Sequence, residues 1–347
     1  MNGLTIMGRP NLRFIFWGTP EFASISLKAL VDAGYTPYAV VTAIDKVSGR
    51  GRRLKASPVK ELALTQNIPV WQPASLKDPL FVQKIRESNP DFMLVVAFRM
   101  LPQEIIEISS MGTWNLHASL LPDLRGAAPI HWAVRLGYRV TGLTVFKIQY
   151  QIDTGDILDS IKLDIPMDWN AGKLHDVMAH EGAKLLVNVV PRILEGNYLL
   201  RPQNECTSIP ESLSNKAPKI QRSDALIDWG KDSLNLENFI RAFAPAPGAY
   251  TILNGTRIVI LDAMAEEPSW GSGFSRENMV GISLGSPTVQ TFVQGSCVVI
   301  GSSWWIRTQN SWLRIKQIKP ENSKVMTVDA FLRGHGDING QICSGEL

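Results

Sequence analysis

"RFIFWGTPEFASISLKALVDAG" (13–34) decides the architecture. The apolar run Phe14–Trp17 stops at Gly18, and apolar residues then recur at helical spacing. Thr19 is placed to cap a helix, Pro20 to occupy its first position and Gly34 to close it. Phe22, Ile25, Ala29 and Leu30 fall on one helical face. The segment reads strand, tight turn, helix.

The same alternation continues downstream. "YAVVT" (38–42) reads as a strand, and Ser57-Pro58 opens a second helix. "DFMLVVAF" (91–98) is an apolar run of the kind found in parallel strands buried on both faces. "LPQEIIEI" (101–108) reads as a helix, "TWNLHASLL" (113–121) as a strand and "APIHWAVRLG" (128–137) as a helix. "TGLTVFKIQY" (141–150) is again a strand, and a long amphipathic helix over 172–195 ends the series. Strands alternating with helices predict an α/β domain, a doubly wound and mostly parallel sheet of Rossmann-like type.

The texture changes after Gly196. "NYLLRPQNECTSIPESLSNKAPKIQRSDA" (197–225) is rich in Pro, Ser and Asn with little periodicity, which suits a linker. Beyond a helical stretch at 233–243, short β-like runs follow: "TVQTFVQG", "CVVIG", "WWIRT" and "WLRIKQI", with a hairpin signal at Asn254-Gly255. They predict a small, OB-like β-barrel. The expected division is a loose tail at 1–11, an α/β domain at 12–196, a linker at 197–222 and the β-rich domain at 223–347.

Composition excludes several classes. The 347 residues carry a net charge of only +3, so any attraction to nucleic acid must be local. No apolar run is long enough to span a membrane, and "MNGLTIMGRPN" has the layout of neither a signal nor a transit peptide. Cys206, Cys297 and Cys343 show no pairing pattern, which suits a reducing cytoplasm.

The chemistry gathers in "NLHASLLPDLRGAAPIHWA" (115–133). Asn115, His117 and Ser119 alternate, so they share one face of a strand that breaks at Pro122. Parallel α/β sheets bind ligands at such carboxyl ends. "QIDTGD" (151–156), at the end of the next predicted strand, supplies Asp153. A carboxylate beside an imidazole favours the charged ring, and an amide can donate to a developing oxyanion. A Ser119–His117–Asp153 hydrolase is disfavoured, because side chains two apart on a strand stand roughly 7 Å from each other and no GxSxG elbow occurs. "DTG" occurs once, whereas aspartic-protease chemistry needs two aspartates. His175 and His180 are spaced wrongly for HExxH, and no metal is expected; GxGxxG and Walker sequences are absent. With no protein nucleophile, the attacking group must come from a substrate, as in acyl transfer to an amine.

These residues carry a resemblance. "NLHASLLPDLRGAAPIHWA" and "IDTGD" closely resemble the formyltransferases that use 10-formyltetrahydrofolate. "GTPEFA", "SGRGRRLKASPVK", "VVAFRMLP" and "FLRGH" are similar to the branch that formylates initiator methionyl-tRNA. The likeness spans roughly residues 12–335. It implies catalysis by Asn115, His117 and Asp153, and folate contacts by Ser119, Leu120, Leu121 and Pro122 with Phe98, Met100 and Leu101 lining the pocket. It implies that the basic loop "DKVSGRGRRLK" (45–55), through Arg50, Arg52, Arg53 and Lys55, enters the tRNA acceptor stem, with Lys216, Lys219 and Arg222 adding backbone contacts. Asp123 and Ala246 depart from the family pattern at positions expected to meet tRNA. A monomer without membrane attachment is expected. The alternatives are an N-formyltransferase for an amino-sugar nucleotide and a non-catalytic RNA-binding protein on the same scaffold.

Overall fold

A computed structural model describes residues 13–48, 53–206, 214–268, 292–335 and 338–344. The tail 1–11, Arg50, Arg52, the side chain of Arg53 and the run 288–291 lie outside the described residues. The chain packs as two compact units that interleave in sequence. The first comprises Met1–Pro129, Val140–Asp164 and Leu174–Pro218; the second comprises Ile130–Arg139, Ile165–Lys173 and Lys219–Leu347. The sequence reading keeps 12–196 whole, whereas residues 130–139 and 165–173 group with the C-terminal unit in the structure.

The first unit holds β1 (Phe14–Gly18), β2 (Ala39–Val41), β3 (Val70–Trp71), β4 (Phe92–Val96), β5 (Thr113–His117), β6 (Val140–Lys147) and β7 (Ile157–Asp164). Their order in the main sheet is β7-β6-β5-β4-β1-β2-β3. Strands β1–β5 are mutually parallel where they pair, and β6 and β7 are antiparallel additions at one edge. β1 and β4 are buried throughout, matching their continuous apolar sequence. β7 has no counterpart in the sequence reading, because its mixed polar pattern is that of an edge strand covered by little.

Among the described residues the α-helices are α1 (Glu21–Asp32), α2 (Pro58–Thr65), α3 (Pro79–Ser88), α4 (Gln103–Ile106), α5 (Pro129–Arg135), α6 (Ala171–Glu195), α7 (Ser233–Phe243) and α8 (Val328–Gly334). Ser57 caps α2, its hydroxyl accepting from Lys60 N at 3.1 Å, a contact generally worth about 1 kcal/mol. Thr19 does not cap α1. Pro20 takes that position without a side-chain bond, and Thr19 Oγ1 instead accepts from Ala43 N at 3.3 Å, tying the β1 turn to the segment after β2. The buried face of α1 is Phe22, Ala23, Ser26, Leu27 and Leu30, rotated slightly from the expected one.

The second unit holds β8 (Ala249–Leu253), β9 (Thr256–Ala265), β10 (Cys297–Ile300), β11 (Ser303–Arg307), β12 (Trp312–Pro320) and β13 (Met326–Thr327). The antiparallel sheet runs β8-β9-β12-β11-β10, with β13 beside β12. Asn254 and Gly255 take φ of 50° and 71°, the pair of left-handed residues that a tight hairpin needs. The expected closed barrel is not found among the described residues. The last described segment spans the gap instead: Ile252 and Ser344 exchange two backbone bonds of 2.9 Å, and Gly340 N donates to Cys297 O at 2.9 Å. This brings Cys343 Sγ to 3.6 Å from Cys297 Sγ, a proximity with no signature in sequence spacing.

Candidate active site

In a doubly wound sheet a crevice forms where the strand order reverses, outside the carboxyl ends. Here β1 has β2 on one side and β4 on the other, and β4 and β5 run parallel to it. Alternation along β5 turns Leu116 toward α6: a Cβ placed on Gly182 would lie 2.8 Å from Leu116 Cδ2. Asn115 and His117 therefore share the opposite face. Asn115 is half-buried and His117 is buried.

The structure brings Asp153 to this face, though not from a strand end. It lies in the turn between β6 and β7, at φ 52°, a left-handed conformation that Asp tolerates. Its Oδ2 stands 3.7 Å from His117 Nδ1 and accepts from Gly126 N at 2.9 Å. His117 Nε2 lies 3.0 Å from Leu124 O. The ring is thus held between a carboxylate and a carbonyl, both acceptors.

The break after β5 is an internally bonded turn. Ser119 Oγ donates to Asp123 O at 2.6 Å, and Thr144 Oγ1 on β6 donates to Ser119 O at 2.7 Å. Leu120 packs where a side chain on Gly142 would stand, Leu121 joins Phe146 and Ile157 in an apolar cluster, and Pro122 is buried. These side chains face inward, so the turn offers a ligand its shape and backbone. Asp123 Oδ1 accepts from Asn215 N at 2.7 Å, which accounts for an acid at this position without any RNA. At the end of β4, Leu101 is core. Phe98 packs edge-on against Trp17 with ring centroids 5.6 Å apart, and Met100 is 60% exposed. An apolar surface is therefore presented beside the crevice.

Gln203 falls in the expected linker, where the sequence gives no reason to single it out. It is 5% exposed. Its Nε2 donates to Asp153 O and Gly155 O, both at 2.8 Å, and its Oε1 accepts from Arg125 Nε at 3.1 Å. Gly155 must be glycine, because a Cβ there would lie 1.6 Å from Lys147 O. Part of the expected linker is therefore built into the site. Lys216–Ala217 also pairs in parallel with Arg125–Gly126. No local signal in "RPQNEC" reveals this, since the partners of Gln203 are 48–78 residues away.

The basic loop is rooted by a short hairpin, Lys46–Ser48 against Arg53–Lys55. Lys55 and Leu54 are exposed. Lys60 Nζ on α2 donates to Asp45 Oδ2 at 2.7 Å and to Gln72 Oε1 at 2.8 Å, and Gln72 Nε2 donates to Asp45 Oδ1 at 2.8 Å. The hydrogen bond from Lys60, and then that from Gln72, hold the Asp45 carboxyl below the usual carboxylate range. The one acid of the loop is thus neutralised from outside it. Lys216, Lys219 and Arg222 are exposed, as is Ala246. Among the described residues no cluster of three or more His, Cys, Asp or Glu is placed to hold a metal, and no helix is long and apolar enough to cross a membrane.

Comparison with known proteins places the chain in a family. Residues 11–190 match the formyl transferase family and residues 219–336 match the formyl transferase C-terminal domain. A methionyl-tRNA formyltransferase of Bacteroides fragilis is 36% identical over 332 residues, covering 94% of this chain and 96% of its own. One from Syntrophus aciditrophicus is 39% identical over 325 residues, covering 93% and 96%. Among solved structures, an N-formyltransferase from Helicobacter canadensis, in complex with folinic acid and dTDP-3-aminofucose, superposes with a TM-score of 0.58 at 18% identity, covering 88% of this chain and 98% of its own. HypX from Aquifex aeolicus, in complex with tetrahydrofolic acid, gives 0.56 at 16% identity over 92% of this chain and 47% of its own. At these identities the structural likeness is one of fold.

Proposed function

The chain belongs to the formyl transferase family, and from that premise we propose that it transfers the formyl group of 10-formyltetrahydrofolate to the amino group of methionyl-tRNA, for translation initiation. The observation that carries this reading is similarity above 35% identity to methionyl-tRNA formyltransferases along both matched domains, not the catalytic half alone. Three free thiols suit a reducing cytoplasm, and Asn115, His117 and Asp153 all come from one chain, which suits a monomer.

The folate supplies a formyl carbon already bonded to a nitrogen that can leave. Asn115, His117 and Asp153 do the rest. The aminoacyl amine attacks the formyl carbon, and the carbonyl electrons move onto oxygen. Asn115 donates an amide N–H to that oxygen, stabilising charge that exists only as the reaction proceeds, and the imidazole of His117 stands beside Asn115 on the same strand face. Asp153 orients the imidazole, and the pair carries the proton lost by the amine toward the departing folate nitrogen. Phe98 and Met100 offer an apolar wall for the folate ring beside the 119–122 turn. Leu101 supports that wall from the core beneath Phe98.

The basic loop would give the acceptor RNA its phosphate contacts through Arg50, Arg52, Arg53 and Lys55. A clamped hairpin root and a basic tip suit a long polyanion better than a small substrate. An amino-sugar nucleotide is the second reading. Formylation of charged initiator tRNA by the purified protein, measured beside formylation of an amino-sugar nucleotide, separates the two.

A further inference from the structure

We propose that Gln203 is a positioning residue for the reaction: its side-chain amide holds the Asp153 turn, and thereby sets the contact between Asp153 and His117. The inference rests on the assignment of Asp153 and His117 to catalysis made above.

Asp153 sits in a turn with few restraints of its own. Its backbone is left-handed, and its neighbours Gln151 and Ile152 are exposed. Its carboxylate reaches His117 at 3.7 Å, longer than a hydrogen bond, so small displacements of the turn change the pairing directly. Gln203 supplies the restraint. Its two N–H donors converge on the carbonyls of Asp153 and Gly155, and a primary amide has only two donors to give. Its oxygen is taken by Arg125, which stands between the two residues that hold the catalytic pair: Leu124, whose carbonyl meets His117, and Gly126, whose N–H meets the Asp153 carboxylate. One buried amide thus links the turn carrying Asp153 to the loop cradling His117. The segment bearing it is fixed by two backbone bonds between Arg201 and Ile157, of 2.8 and 2.9 Å. A glutamine serving packing alone has no need to saturate donors and acceptor on these two elements at once.

The test combines Gln203→Ala, Gln203→Glu and Asp153→Asn. Gln203→Glu gives Arg125 a charged partner but has no N–H for the turn, so it keeps the Arg125 contact while removing the restraint. Both Gln203 variants should lower kcat by between about 10- and 100-fold, the scale of an ångström-sized misplacement, with KM for folate and tRNA within about twofold. In the Asp153→Asn background the same substitutions should cost less than about threefold, because residues acting through one another are not additive. Equal losses in both backgrounds would overturn the proposal.

A second readout needs no substrate. The ring resonances of His117 are followed by NMR. Gln203→Ala and Gln203→Glu should shift them from their wild-type positions, and unmoved resonances again refute the role. Absence of formyl transfer by the wild type would defeat the functional reading, while these resonances still decide the role of Gln203.

Discussion

His117 and Asp153 face each other with Nδ1 and Oδ2 3.7 Å apart, while Nε2 on the far side of the ring lies 3.0 Å from Leu124 O. A carboxylate and a carbonyl can only accept, so a ring bearing protons on both nitrogens satisfies both. The gap to Asp153 is longer than a hydrogen bond, so the turn that carries Asp153 sets how closely the two meet.

Asn115→Ala should lower kcat by about 10²–10³ with little change in either KM, the scale of losing one oxyanion donor. Asn115 is half-buried at a strand end, so thermal stability should change little. Steady-state kinetics check this. A variant with near-normal kcat would place the oxyanion elsewhere. His117→Ala should add a stability cost of roughly 1–3 kcal/mol, because Leu124 O is then left without its partner in a buried setting.

Asp153→Asn should retain folate binding and lower kcat by about 10²-fold or more, because an amide can still hold the ring but cannot take up a proton. Folate binding by fluorescence and steady-state kinetics test the two halves separately. A normal kcat contradicts the pairing.

Much of this was legible in the sequence, for reasons that differ by element. β1 and β4 announce themselves because strands buried on both faces must be apolar throughout. The β8–β9 hairpin is legible because Asn-Gly tolerates two left-handed residues. Asn115 and His117 could be placed together from strand alternation alone. β7 was not legible, since an edge strand can be polar on either face. Gln203 was not legible either, because nothing local to it requires a glutamine; its reason lies in Asp153, Gly155 and Arg125. The inward use of Leu120 and Leu121 was hidden for the same cause, as Gly142 and Phe146 make their environment.

Lys60→Met should loosen the root of the basic hairpin and weaken tRNA binding by less than about tenfold, since hydrogen bonds at a partly exposed site contribute modestly. Folate binding should be unaffected. The clamp also has a pH signature. The Asp45 carboxyl is held low, chiefly by the bond from Lys60. Its contribution is therefore full above the ordinary carboxylate value of about 3.9 and is lost as pH falls through the lowered one. The difference in Tm between wild type and variant should be constant from about pH 8 to about pH 5 and shrink only in stronger acid. A difference that fades near neutrality would show that Asp45 is not the partner.

Replacing Arg50, Arg52 and Arg53 together by Ala should leave folate binding and stability near wild type, as charges on a solvated loop contribute little. Without these three cations to neutralise phosphates, the slope of log K for tRNA against log salt should flatten by about two units for single-stranded RNA and somewhat more for duplex. Affinity measured across a salt series decides this. Unchanged affinity and slope would make the loop a surface feature only.

The most direct measurement follows labelled formyl groups from 10-formyltetrahydrofolate when the purified protein is offered methionyl-tRNA and, separately, a dTDP-linked amino sugar. The expected result is label on the methionyl amine, appearing far more slowly in Asn115→Ala and Asp153→Asn, with none on the sugar. Label on the amino sugar, with the tRNA left unmodified, would contradict the proposed function.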